Sequence, residues 1–104
     1  MNLSDDEKKL LEPHVIERIK IEPRVVERVQ IGVRMEKRML KVLKGLAEYL
    51  DLSLSDLLEG IVLHAFAGKT PFSGLTLEQI GRLQEIYGMD YGVELSHRLR
   101  EIAF

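Results

Sequence analysis

Residues 28–66 read RVQIGVRMEKRMLKVLKGLAEYLDLSLSDLLEGIVLHAF, and the hydrophobic period changes inside this stretch. Up to Arg34 the side chains alternate. Val25, Val29, Ile31 and Val33 fall on one face, interrupted only by Glu27, while Val26, Arg28, Gln30, Gly32 and Arg34 fall on the other. A period of two with β-branched residues is the pattern of a half-buried strand. From about Met35 the apolar residues Met39, Leu43, Leu46 and Leu50, joined by Leu40 and Ala47, recur at steps of three and four. That period predicts an amphipathic helix to Leu50, with Lys37, Arg38, Lys41, Lys44 and Glu48 on its other faces. Gly45 weakens a helix by about 1 kcal/mol relative to alanine, so its presence points to close packing.

Asp51 and Leu52 make a short connection, and Ser53 with Asp56 three residues on reads as a capping box. The helix it opens carries Leu54, Leu57, Leu58, Ile61, Val62, Ala65 and Phe66 inward and stops near Gly68. Residues 67–75, with Gly68, Pro71 and Gly74, read as a linker. Thr76 then caps a further helix with Leu77, Ile80, Leu83 and Ile86 or Tyr87 on its apolar side, ended by Gly88. A last short helix is expected from about Asp90 to Ala103, burying Val93, Leu95, Leu99 and Ile102.

Towards the N-terminus, HVIERIKIEP (14–23) and RVVERVQIGV (24–33) form a near-repeat of ten residues, with Pro23 set to break the two copies apart. The first copy could add an outer strand or serve as an arm over a partner. Ser4, Asp5, Asp6 and Glu7 suggest a short capped helix before Pro13. The organisation expected is therefore an arm (1–23), a core (24–67) and a helical extension (68–104).

The chain of 104 residues carries a formal net charge of −2, which hides an uneven distribution. Residues 24–44 hold seven basic side chains against two acidic, a net of +5, between two acidic segments. Such a block is suited to a polyanion, although a basic face can also merely stay solvated. With no cysteine there is no disulfide framework, Cys-ligated zinc site or thiol nucleophile. His14, His64 and His97 lack ligand spacing, so neither a metal nor any other cofactor is expected. No nucleophile–base pair or glycine-rich phosphate loop marks an enzyme. No apolar run approaches the roughly 18 residues that cross a bilayer, and the acidic opening MNLSDDEKKL is unlike a secretory signal; a cytoplasmic, nucleoid-associated protein is expected.

A lone strand leaves both of its edges unpaired, and the simplest remedy is a second copy of the chain. Two such strands, paired about a two-fold axis, would show Arg28, Gln30, Gly32 and Arg34 twice on an outer face. A two-stranded ribbon fits the major groove of DNA, where Arg can bond guanine and Gln adenine. In the alternating V-Q-I-G-V-R, the A-E-Y-L helix end and the D-L-S-L-S-D-L-L opening, residues 28–66 resemble the ribbon-helix-helix family, to which the Arc and methionine repressors belong.

The resemblance implies a mainly α fold with a short β-ribbon. It would be a ribbon-helix-helix dimer with an N-terminal arm and an α-helical C-terminal tail, regulating transcription as a repressor on double-stranded DNA. It places Gln30, Gly32 and Arg34 at base-facing positions and Ile31 and Val33 in the core. Gly32 departs from the polar residue usual at its position. The resemblance also implies a phosphate on the start of the second helix, at Ser53, Leu54 and Ser55, where free N–H groups and the helix dipole favour an anion. Lys37, Arg38 and Lys41 are candidate phosphate contacts that set register. The alternative is a dimeric interaction or antitoxin-like module whose residues 76–104 hold a partner protein or build a tetramer.

Overall fold

A computed structural model describes residues 22–102 of the chain. Three helices order the chain: α1 (Lys37–Leu50), α2 (Leu54–Phe66) and α3 (Gly74–Tyr87), followed by a single 3₁₀ turn, Val93–Leu95. The first helix begins within two residues of where the period changes. Its N-cap is Glu36, whose carboxylate accepts the backbone N–H groups of Arg38 and Met39. It ends at Asp51, which takes the left-handed conformation (φ 58°) and lets the Leu52 N–H reach back to the Ala47 carbonyl at 2.9 Å. Ser53 caps α2 as its sequence suggests, its Oγ accepting the Asp56 N–H at 3.1 Å.

The α3 cap is Ser73, three residues before the expected Thr76. Ser73 Oγ accepts the Thr76 N–H, and Thr76 is itself fully buried at the third position of the helix. Gly88 ends α3 in the left-handed region (φ 68°), where glycine carries no Cβ penalty.

The core is small. Val42, Leu46 and Ala47 of α1, Leu57 of α2 and Leu83 of α3 are buried, with Leu43, Leu50, Ile61, Phe72, Ile80 and Met89 packed around them. α1 packs most extensively against α3. A Cβ on Gly45 would lie 2.9 Å from Leu83 Cδ2, so the missing side chain is what lets the two helices approach. α2 covers less: Leu54, Leu58 and Ile61 are half-buried, while Val62, Leu63, Ala65 and Phe66 are exposed, Phe66 at 82%.

Two expectations are corrected. The β-ribbon is not seen: residues 22–36 are neither helix nor strand, and no strand occurs among the described residues. An extended segment becomes a strand only when a neighbouring backbone takes its hydrogen bonds, and none does so among the described residues. Val25, Val29, Ile31 and Val33 are accordingly exposed rather than turned into a core. The last helix is also missing. Beyond the 3₁₀ turn the chain is irregular, His97 takes a positive φ of 64°, and Val93, Leu99 and Ile102 are exposed. A left-handed residue in the middle of a short apolar segment interrupts any helix through it. The expected helix before Pro13 and the first repeat copy, up to residue 21, lie outside the described residues.

Candidate nucleic-acid interface

The basic block occupies the extended segment and one face of α1. Lys37, Lys41 and Lys44 stand at intervals of four and three residues, so they share a helix face, and all three are exposed. Lys37 and Lys44 point to solvent; the Lys41 ammonium lies 5.7 Å from the centre of the Tyr87 ring.

Arg38 lies elsewhere on α1 and has a different task. Its guanidinium donates to the Gly88 carbonyl at 3.0 Å and to Asp90 at 3.4 Å, and it sits 5.5 Å from the centre of the Tyr91 ring. Its Nε also donates to Glu36. Arg38 thus ties the end of α3 to the start of α1, with its side chain still 41% exposed.

The two arginines expected to read bases are each held in a fork by a carboxylate distant in sequence. Arg28 donates to both oxygens of Glu59, at 2.8 and 2.7 Å, and lies 3.6 Å from Asp56. Arg34 donates from Nε to Glu101 Oε1 at 3.1 Å and from Nη2 to Oε2. The bidentate geometry is the one guanidinium offers to phosphate as well. The Arg28 pair raises the guanidinium pKa still further and holds the Glu59 carboxyl below its ordinary value, in both cases first through the hydrogen bond. Gln30 and Gly32, between the two arginines, are exposed.

At the start of α2, Ser53 Oγ is committed to its cap. Leu54 is half-buried and Ser55 exposed, and their N–H groups, at the first two helical positions, have no helical acceptor. Asp56 lies in the same turn, with Arg28 beside it. The extended segment and the α2 N-terminus therefore meet, through an ion pair that the sequence did not reveal.

Glu36, Tyr91, Glu59 and Glu101 are the residues the sequence reading missed. Glu36 precedes the periodic stretch, but glutamate is not among the favoured N-caps. Its carboxyl is held down at about 2, first by the Tyr91 hydroxyl and then by Arg38 and the backbone N–H groups. Tyr91 is pushed up to about 12, by burial first and then by the Glu36 carboxylate.

A groove of about 220 Å³ opens beside α2, lined by Leu50, Leu57, Ile61, His64, Phe72 and Thr76. Among the described residues no group of three or more His, Cys, Asp or Glu could hold a metal, and no helix is long and apolar enough to cross a membrane. No known protein family, curated protein or solved structure matches the chain.

Proposed function

We propose that the chain binds double-stranded DNA as a homodimer and regulates transcription from the cytoplasm, as a nucleoid-associated protein. The observation that carries this reading is the lysine face of α1. Lys37, Lys41 and Lys44 are exposed on one side of a well-packed helix, next to a segment bearing Arg24, Arg28 and Arg34. A rigid row of cations neutralises phosphates regardless of base sequence.

A second copy is proposed because the buried set is so small while large apolar side chains stand in water. Val29 and Ile31 are each 75% exposed, and Leu63 is 66% exposed. Large exposed apolar surface of this kind marks association.

Binding to mixed duplex fragments across a salt series tests the reading. Affinity should fall as salt rises, with a log–log slope of about −0.9 for each phosphate neutralised. Failure to bind any fragment at low salt overturns it. Sedimentation that finds a folded monomer at micromolar concentration overturns the dimer.

A second reading has support of its own. Leu77, Ile86 and Val93 are exposed within residues 76–104, at 50%, 69% and 88%, and an antitoxin-like module would use such side chains to hold a partner protein. Stoichiometric capture of that partner by a chain that ignores DNA would favour it.

A further inference from the structure

The C-terminal segment turns back on the basic block. After the 3₁₀ turn, His97 at φ 64° reverses the backbone, and Glu101 reaches Arg34, 67 residues earlier, with both carboxylate oxygens. Every residue from 96 to 102 is exposed, so this stretch adds nothing to the core. Among the described residues, its backbone bonds reach only the adjoining 3₁₀ turn, from Ser96 to Val93 and from Arg98 to Leu95, and its side-chain ion pair is the fork between Glu101 and Arg34. The two side chains are 61% and 83% exposed, open to water and to competing ions.

The segment is nevertheless kept close. Just upstream, Tyr91 is bonded to Glu36 at 2.5 Å, and Gly88 and Asp90 are bonded to Arg38. A tethered carboxylate acts at high effective concentration, which strengthens an otherwise weak exposed pair.

We propose that residues 96–102 form an intramolecular competitor for nucleic acid. Glu101 occupies the Arg34 guanidinium in the free protein and is displaced by a DNA phosphate, which has the same bidentate acceptor geometry. This rests on the DNA reading above and adds a regulatory element to it. Two other cations, Arg98 and Arg100, lie on the same segment, so truncation would remove positive charge together with Glu101 and confuse the result. The point substitution Glu101→Gln changes the competitor alone.

The test compares the full chain, Glu101→Gln, Arg34→Ala and the double variant, by anisotropy on a mixed-sequence duplex. Because residue 101 is exposed, the fold should be unchanged by circular dichroism. Glu101→Gln should bind about two- to fivefold more tightly per chain. The gain should vanish in the Arg34→Ala background, since the cycle isolates the pair from the general loss of one negative charge. Unchanged affinity in Glu101→Gln, or a gain that survives intact without Arg34, overturns the competitor while leaving the DNA reading in place. No binding by any of the four proteins at low salt overturns both.

Discussion

The Tyr91 hydroxyl donates to Glu36 Oε1 at 2.5 Å and so joins the segment after α3 to the cap of α1, 55 residues earlier. The same carboxylate accepts the N–H groups of Arg38 and Met39 and the Arg38 Nε. One side chain therefore starts a helix and anchors a tail.

Tyr91→Phe should weaken the fold near neutral pH, and the deficit should shrink in acid. Glu36 ionises at about 2 in the folded protein against an ordinary 4.5. A depressed carboxyl contributes stability that is fully present above about pH 4.5 and is lost as pH falls towards 2. Urea unfolding at pH 7, 4 and 2.5 should show the wild-type advantage narrowing over that window. An equal difference at all three values would contradict the role given to Glu36.

Arg38 and Lys37 are sequence neighbours with opposite expected phenotypes. Arg38→Ala loses bonds to the Gly88 carbonyl, Asp90 and Glu36 and should lower the melting temperature by several degrees. Lys37→Ala touches none of these. It should leave melting unchanged and reduce the salt slope of DNA binding by about 1 per chain. Melting curves beside a salt titration separate the two.

Gly45 tests how closely α1 and α3 are packed. Alanine gains about 1 kcal/mol of helix propensity but pushes its Cβ to 2.9 Å from Leu83 Cδ2. Leu83 is buried but flexible at its tip, so the two effects should nearly offset. Valine adds bulk that Leu83 cannot evade and should cost about 1–3 kcal/mol. Chemical denaturation giving valine equal to glycine would show a looser contact.

Asp51→Gly should stabilise the chain by about 1 kcal/mol. The left-handed φ of 58° strains any residue with a Cβ, and a carboxylate at a helix C-terminus opposes the dipole. A thermal shift upward checks it.

What was legible in the sequence was local. The spacing from Met39 to Leu50, the Ser53 cap and the Gly88 stop are set by neighbours a few residues apart, and each appears where the pattern puts it. The start of α3 lies three residues before the expected Thr76, because Ser73 is the better cap by type and Thr76 is buried within the helix. Alternation in residues 25–34 specifies extended backbone, but a strand depends on a partner that no local pattern supplies. The arginines were the least legible. Their carboxylates, Glu59 and Glu101, lie 31 and 67 residues away, and nothing in an arginine's immediate surroundings names its ion-pair partner.

The slight anchoring of α2 has a kinetic consequence. Among its side chains only Leu57 is buried, whereas α1 contributes three, held against α3. Opening free energy follows buried contact, so backbone amides of α2 should exchange with solvent well before those of α1. Anything that settles on Val62, Leu63 and Phe66 would slow that exchange, and the deuterium uptake of this one helix becomes a gauge of its outer face being occupied.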